Sequence, residues 1–309
     1  MQRPNLPGAP PIASTKPSPL PTFADLIPLI PVRPIIKWAG GKAQLLPTLH
    51  RFLPPMDCVH RYFEPFLGGA AVFFSLQHPR SVLSDTNAEL INLYEVVRDH
   101  TAELIAALRL HVYARSYYYA VRAQDPAALS SVERAARLIY LNKTCFNGLY
   151  RVNSQGQFNV PFGRYTNPTI CDAGNLEAAA CALRPATLIL GDYDAVLHDA
   201  GTGDFIYYDP PYHPLSPTAS FTSYTDRSFD ATDQARLAQT FRRLHAASCY
   251  LMQSNSDTPL IHELYAGFRI ACITANRAIN SRADRRGPIS ELVITNYSED
   301  GELLASLDS

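Results

Sequence analysis

The sequence lacks the features from which metal sites, disulfide frameworks and membrane anchors are built. No two cysteines form a Cys-x-x-Cys pair and none stands at ligand spacing from a histidine, so the thiols are predicted to be reduced. No apolar run reaches membrane-spanning length, and the amino terminus has neither the basic start nor the uninterrupted apolar stretch of a secretory signal. We therefore expect a cytoplasmic protein without a metal. The six cysteines are Cys58, Cys145, Cys171, Cys181, Cys249 and Cys272.

Neither sign of charge is in excess. The chain has 27 Lys and Arg against 28 Asp and Glu, a formal net charge of -1. This balance argues against a protein that coats nucleic acid indiscriminately, although it permits a local basic groove. With 309 residues, the chain can bury a large core as one domain or as a domain that carries an insert.

Acidic residues are missing from one long internal segment, between Glu133 and Asp172. Within it, residues 142–165 are rich in amides, arginines, glycines and aromatics. Such side chains contact phosphates and base edges, and we interpret this segment as a loop or hairpin that binds nucleic acid. Its Asn-Gly and Gln-Gly pairs are also ordinary turn sequences.

Proline is concentrated in residues 1–33, which carry little charge. Repeated prolines block helices and central strands alike, so a disordered leader is predicted here. The leader is either a docking tail or a dispensable extension.

The rest of the chain is organised around residues 205–212, Phe-Ile-Tyr-Tyr-Asp-Pro-Pro-Tyr. The apolar run predicts a buried strand, which Pro210 and Pro211 must end because neither can donate to a ladder. Asp209 therefore stands at the carboxyl end of the strand, in a rigid corner with the Pro210 carbonyl and the Tyr212 ring. Two acceptors beside an aromatic face suit a flat base with an exocyclic amine, although a strand ending in a polar turn has the same pattern.

Two earlier segments have the layout of a nucleoside-binding crevice. A short strand from Tyr62 leads into the glycine turn of residues 64–69, and a second strand over residues 82–85 ends in Asp85. An acid at the tip of the strand after a glycine turn accepts hydrogen bonds from ribose hydroxyls. The third glycine of the dinucleotide fingerprint is absent, so a ligand with a ribose and no phosphates fits better than a dinucleotide.

Trp38, the only tryptophan, lies between two lysines and next to Gly40 and Gly41. The double glycine allows a tight turn or the close approach of a ligand. A tryptophan ordinarily lies in the core, but a ring beside a glycine turn can equally form the floor of an adenine pocket.

Apolar periodicity predicts the remaining helices and strands. Helices are predicted over 88–110, 132–141 and 232–245, the second with its arginines on the polar face. Further strands are predicted over 188–192, 250–255 and 291–297.

Six motifs occur in the order in which one known family has them. On these motifs the chain resembles the Dam-type DNA adenine-N6 methyltransferases, the D12 class with the alpha-type motif order. The likeness as a whole extends from Lys37 to Tyr297. The motifs are Lys-Trp-Ala-Gly-Gly-Lys (37–42), Glu-Pro-Phe-Leu-Gly-Gly (64–69), Leu-Ser-Asp-Thr-Asn (83–87), Asn-Gly-Leu-Tyr-Arg-Val-Asn (147–153), Phe-Asn-Val-Pro-Phe-Gly-Arg-Tyr (158–165) and Asp-Pro-Pro-Tyr (209–212).

The resemblance implies an α/β fold, a Rossmann-like S-adenosylmethionine-dependent methyltransferase sheet of seven strands with an inserted target-recognition domain. It implies methyl transfer from S-adenosylmethionine to adenine N6 in double-stranded DNA, within GATC, by an enzyme that acts as a monomer and needs no metal. The predicted divisions are a leader (1–33), a donor-binding first part (34–90), a mostly helical target-recognition insert (91–185) and a catalytic second part (186–309).

The resemblance also assigns roles to individual residues. N6 is expected to donate to the Asp209 carboxylate and the Pro210 carbonyl, with the extruded base stacked on Tyr212. The catalytic residues are Asp209, Pro210, Pro211 and Tyr212; the donor pocket is Trp38, Lys42, Glu64, Phe66, Gly68, Asp85 and Asp209; the DNA-binding residues are Lys37, Asn147, Arg151, Pro161, Arg164 and Tyr165.

One position departs from the family's motifs. Ala70 stands where many members have a glycine, and a residue this small is expected to preserve close helix packing and donor binding.

Other substrates and roles remain open at this point. An RNA adenine or a protein glutamine amide also presents a planar amine, and a binder that has lost catalysis would keep most of the motifs. The biological role is open between protection beside a restriction nuclease, regulatory marking and a phage function.

Overall fold

The computed structural model describes residues 31–215, 229–276 and 288–305, without the side chains of 275, 276, 288 and 289. The predicted leader lies outside these residues except for 31–33. In the described part the fold is α/β, as predicted, and is built on one seven-stranded sheet. Its strands are β1 (Tyr62–Glu64), β2 (Ser81–Asp85), β3 (Thr187–Leu190), β4 (Phe205–Tyr208), β5 (Tyr250–Ser256), β6 (Arg269–Asn276) and β7 (Pro288–Thr295).

The strand order is β3-β2-β1-β4-β5-β7-β6. The first five strands in this order are parallel, whereas β7 runs antiparallel between β5 and β6. From β1 the chain moves outward to β2 and β3 and then returns to the other side of β1 as β4. Ligands of open α/β sheets bind outside the carboxyl ends of the strands at such a reversal.

The central strand β4 is buried on both faces, which explains its uninterrupted apolar sequence. Phe205 and Tyr207 join one apolar cluster, whereas Ile206 and Tyr208 join another. Because successive side chains of a strand alternate between faces, the two clusters cover opposite sides of the sheet. The predicted strands over 188–192, 250–255 and 291–297 are confirmed as β3, β5 and β7, with shifted ends.

Within the described ranges, no helix is both long and apolar enough to cross a membrane. Two of the longer helices begin at capping boxes, formed by Ser130 with Glu133 and by Asp230 with Asp233. The helices are α1 (Leu46–Leu49), α2 (Ala71–Leu76), α3 (Ala88–Asp99), α4 (Thr101–Arg109), α5 (Arg115–Ala123), α6 (Ser131–Thr144), α7 (Ala173–Leu183), α8 (Tyr193–Val196), α9 (Ala231–Ala246) and α10 (Pro259–Leu264).

Two sequence predictions about these helices need correction. The helix predicted over 88–110 is two helices, because His100 has φ −133° and ψ 38°, outside the helical region. No glycine or proline marks this break, so the periodicity did not show it. In α6, Arg137 is not on a polar face but is buried, and it donates to the carbonyls of Val121 and Arg122 at the end of α5.

Helices α3 to α7 lie between β2 and β3 in sequence, in the region of the predicted insert. Helix α3 crosses the predicted boundary at residue 90 and packs against β2 and β3 as well as α6 and α7. The predicted insert and its boundaries therefore stay a prediction, and α3 contacts both the sheet and the helices of that region.

Candidate active site

Three acidic side chains lie at the carboxyl edge of the sheet, around the reversal of strand order. Glu64 ends β1, Asp85 ends β2 and Asp209 follows β4. Because these strands are adjacent and parallel, their carboxyl ends meet at one edge. The sequence analysis assigned all three acids to the donor pocket, and the fold places them on neighbouring strands.

The Asp209 carboxylate forms an ion pair with Lys42. Lys42 directly follows Gly40 and Gly41 and is far from Asp209 in the sequence. Nζ of Lys42 lies 2.7 Å from Oδ1 and 2.9 Å from Oδ2 of Asp209. The lysine side chain is only 4% exposed and the aspartate side chain 21%. Burial raises the pKa of Asp209, and the Lys42 charge opposes that rise, so the ion pair favours the ionised carboxylate.

Tyr212 is held on two sides. Its hydroxyl donates to Oε2 of Glu291 over 2.9 Å, and Nζ of Lys42 lies 4.9 Å from the centroid of its ring. The sequence analysis did not single out Glu291, which belongs to β7 and to none of the six motifs. Only the antiparallel placement of β7 brings this glutamate to the corner.

The backbone after Asp209 is fixed by a buried pair of amides. Gln234 of α9 donates to the Pro211 carbonyl over 2.9 Å, and Asn255 of β5 donates to Oε1 of Gln234 over 3.0 Å. Oδ1 of Asn255 in turn accepts from the backbone N–H of His213 over 3.2 Å. Because Pro210 and Pro211 cannot donate to a ladder, the strand ends here, and these side chains satisfy the Pro211 carbonyl and the His213 N–H in place of a neighbouring strand.

Glu64 is buried and accepts two hydrogen bonds. One comes from the Tyr62 hydroxyl over 2.7 Å and one from the Phe73 backbone N–H over 2.9 Å. Burial nevertheless raises the pKa of Glu64 to about 8, and the nearby Asp209 charge adds to the rise. The carboxyl group therefore holds a proton at neutral pH unless a cation binds beside it.

Asp85 connects the second strand to the glycine turn. Its carboxylate accepts from the backbone N–H groups of Gly68, over 3.0 Å, and Asn87, over 2.9 Å. Gly68 has φ +46°, and a Cβ there would lie 2.7 Å from Cδ1 of Trp38. Only glycine allows this turn to pack directly against the tryptophan ring.

The aromatic residues of the predicted donor pocket pack against different parts of the chain. The Trp38 ring lies 4.9 Å from that of Tyr150, in the acid-free segment. Phe66 lies 5.3 Å from Tyr193 and 6.0 Å from Phe229, measured between ring centroids. Trp38 therefore contacts both the glycine turn and the segment predicted to bind DNA.

Ala70, the departure from the family's motif, adopts a left-handed backbone with φ 55° and ψ 30° immediately before α2. Its methyl group is buried, with 1% exposure. A left-handed conformation is unfavourable for any residue with a Cβ, which accounts for a glycine preference at this position.

Most of the predicted DNA-binding residues lie on an irregular hairpin. Bridges between Cys145 and Phe162 and between Val152 and Phe158 define this hairpin. Phe146, next to the predicted Asn147, is 45% exposed and was not singled out from the sequence. Of the predicted residues, Lys37, Arg151, Pro161 and Arg164 are exposed, and Asn147 and Tyr165 are half-buried.

Asn142 joins the hairpin to the segment that carries Trp38. It is fully buried, accepts from the backbone N–H of Lys37 and donates to the Lys37 carbonyl, both over 2.8 Å. It also donates to the Gly148 carbonyl over 3.0 Å. The Lys37 side chain reaches the hairpin as well, with Nζ 5.5 Å from the centroid of the Tyr165 ring. The sequence analysis placed Asn142 in the segment but did not foresee this clamp.

Among the described residues, no cluster of His, Cys, Asp and Glu is suited to hold a metal ion. The arrangement instead offers buried acids, one buried lysine, aromatic rings and an exposed basic hairpin. These groups can bind a cationic nucleoside, orient a planar amine and contact an anionic polymer.

The chain belongs to the D12 class of N6 adenine-specific DNA methyltransferases, and the model of that family matches residues 38–279. The resemblance seen in the sequence is thus confirmed, and the protein is an adenine-specific DNA methyltransferase.

Similar curated proteins cover nearly the same region. The type II methyltransferase M1.LlaDCHI of Lactococcus lactis subsp. cremoris is 44% identical, over 87% of this chain and 96% of its own length. The type II methyltransferase M.MjaIII of Methanocaldococcus jannaschii is 40% identical, over 86% of this chain and 99% of its own. The DNA adenine methylase of Escherichia coli K12 is 36% identical, over 84% and 94% respectively.

Proposed function

We propose that this methyltransferase uses S-adenosylmethionine to methylate adenine N6 in double-stranded DNA, within GATC, acting as a monomer. The observation that supports it most directly is the ion pair between Asp209 and buried Lys42 beside the Tyr212 ring. That corner stands at the reversal of strand order, where open α/β sheets bind their ligands.

The residues around the crevice fit this methyl donor. When bound, S-adenosylmethionine supplies an electrophilic methyl group on a positively charged sulfur. Asp85 would accept hydrogen bonds from its ribose hydroxyls, and Trp38 and Phe66 would contact its adenine. Glu64, whose pKa of about 8 keeps it protonated at neutral pH, would ionise beside the positive charges of the donor. A crevice lined by Glu64, Asp85 and Asp209 disfavours an anionic cofactor with phosphates.

The catalytic corner would activate a poor nucleophile. The lone pair of adenine N6 is delocalised into the ring, and hydrogen bonds from N6 to Asp209 and to the Pro210 carbonyl would localise it. The carboxylate would also offset the positive charge that develops on N6 as its bond to the methyl carbon forms and the methyl–sulfur bond breaks. The proton that N6 then loses would pass to the carboxylate or to water. The Lys42 charge favours the ionised form of Asp209, and the lone pairs of the carboxylate that Lys42 does not use remain available to N6.

The target base must leave the duplex to reach this corner, at a cost of a few kcal/mol. We expect the extruded adenine to stack on Tyr212. The exposed side chains of Lys37, Arg151 and Arg164 would contact the DNA around it. GATC is the proposed site because the acid-free segment resembles those of family members that read this sequence.

The role of Asp209 is tested by single-turnover methylation of unmethylated duplex DNA with labelled S-adenosylmethionine. Asp209→Ala should lower the rate by at least about a thousandfold, since the main acceptor for N6 is gone. Folding is checked by circular dichroism, and Asp300→Ala, in an exposed turn, serves as the matched control. Near-normal methylation by a folded Asp209→Ala protein would refute the proposed mechanism.

A further inference from the structure

The hydrogen bond between Tyr212 and Glu291 joins two strands that are far apart in the sequence. Tyr212 follows β4, whereas Glu291 lies on β7, directly across from Ser256 of β5. Because β7 runs antiparallel to β5, its early residues reach the carboxyl edge where the catalytic corner lies. The Oε2 atom of Glu291 accepts from the tyrosine hydroxyl over 2.9 Å.

We propose that Glu291 is a positioning residue for methyl transfer, which fixes the plane of the Tyr212 ring on which the extruded adenine stacks. The inference rests on the proposed function, since it needs Tyr212 to be the stacking surface. It assigns to Glu291 no direct contact with DNA or with the donor.

The geometry explains why such an anchor is needed. The two prolines fix the backbone before Tyr212, but the ring remains free to rotate about its two side-chain torsions. A hydrogen bond from the phenol to a carboxylate, at the far end of the ring, restrains both torsions and is stronger than a neutral one. The Tyr212 ring is thereby held at both ends.

The same contacts fix the ring relative to the groups that activate N6. Lys42 lies over the ring at 4.9 Å and is paired with Asp209 at 2.7 Å. A base stacked on a ring that tilts would move its amine away from Asp209, and displacements of about 1 Å are costly in catalysis. Glu291 therefore acts on the rate through Tyr212.

The test compares Glu291→Ala, Tyr212→Phe, the double variant and Glu291→Gln in single-turnover methylation at saturating donor and DNA. Each of the first two variants removes the same hydrogen bond, so each should slow methyl transfer about tenfold. The double variant should be no slower than the slower single one, because both changes remove one interaction. Glu291→Gln, whose amide oxygen still accepts, should recover most of the rate.

Two further measurements separate positioning from a structural role. Donor binding, followed by the fluorescence of Trp38, should be unchanged in all four variants, because Glu291 is not proposed to contact the donor. A duplex with 2-aminopurine at the target position should emit more brightly with Glu291→Ala than with the native enzyme, because the extruded base is less firmly stacked. Glu299→Ala, on an 82%-exposed side chain just after β7, is the matched control.

Some outcomes would overturn this inference. A native rate for Glu291→Ala, losses that multiply in the double variant, or weakened donor binding by Glu291→Ala would each do so. Asp209→Ala, measured alongside, separates this failure from failure of the proposed function. If Asp209→Ala is inactive while Glu291→Ala is native, only the role of Glu291 is wrong; if Asp209→Ala is active, the proposed corner itself is wrong.

Discussion

At the scale of single residues, the site depends on buried charges that control one another. Burial raises the pKa of Asp209, and the Lys42 charge opposes that rise and so favours the carboxylate form, which accepts hydrogen bonds from an amine. For Glu64, burial outweighs the hydrogen bonds and the Lys42 charge that lower its pKa, and the value of about 8 leaves it protonated at neutral pH.

The raised pKa of Glu64 predicts how stability changes with pH. The folded state keeps a proton on Glu64 up to about pH 8, whereas the unfolded chain loses it near the ordinary value of 4.5. Between these values the folded state binds more protons, so the unfolding free energy contributed by Glu64 falls as pH rises. The fall should be on the order of a few kcal/mol, measured by urea unfolding of the donor-free enzyme.

Glu64→Gln supplies the control, because it cannot ionise and keeps the shape of the side chain. Its unfolding free energy should decrease less with rising pH than that of the native enzyme over the same window. Parallel pH dependences for the two proteins would show that Glu64 is ionised when folded and would contradict the assignment.

The candidate residues that the sequence shows are those that stand in short local motifs, even where their partners are distant in the chain. Trp38, Lys42 and Asp209 lie in short motifs with glycine or proline at fixed spacing, and a motif shows such residues directly. Glu291 was missed because its partner is 79 positions away and depends on the antiparallel insertion of β7. Asn142 was missed as a clamp because its partner Lys37 is 105 positions away.

At the scale of elements, α9 and β5 together hold the corner that follows β4. Gln234 and Asn255 are completely buried and hydrogen-bonded to each other. Their remaining polar atoms bind the backbone of Pro211 and His213. Buried polar pairs of this kind fix one geometry because any other leaves a group unsatisfied.

Replacing Gln234 by leucine should therefore destabilise the enzyme. The change leaves the Pro211 carbonyl and the Asn255 amide without their partner in a buried site, at a cost of about 2–4 kcal/mol in unfolding free energy. Chemical denaturation measures this effect, and methyl transfer should slow as the corner loosens. Gln239→Leu, on the exposed side of the same helix, is the matched control and should change stability little. Equal stability of the two variants would contradict the role of the amide pair.

The predictions of helices and strands were most accurate where the apolar periodicity was strong. They were least accurate where tertiary contacts determine where a helix breaks or which side chain is buried. Strand β4 and helix α9 follow from their apolar patterns. The break at His100 has no glycine or proline to mark it, and the burial of Arg137 depends on the carbonyls that end α5. Both features depend on packing among the helices between β2 and β3, which the sequence pattern does not specify.

At the scale of the whole molecule, one short segment joins the proposed donor pocket to the proposed DNA-binding hairpin. Asn175 of α7 makes two hydrogen bonds of 2.9 Å with the backbone of Arg33. Asn142 of α6 makes two hydrogen bonds of 2.8 Å with the backbone of Lys37. Trp38, which follows Lys37 in the sequence, packs against Gly68 and against Tyr150 of the hairpin. The two proposed binding regions thus share one structural support.

The most direct test of the account is to map methyl groups on DNA. Purified enzyme, labelled S-adenosylmethionine and unmethylated duplex DNA should yield N6-methyladenine confined to GATC, and Asp209→Ala protein should yield none. Methylation at another sequence would contradict the proposed specificity while leaving the chemistry intact. Methylation of cytosine, or no methylation of duplex DNA by a folded enzyme that binds the donor, would contradict the central claim.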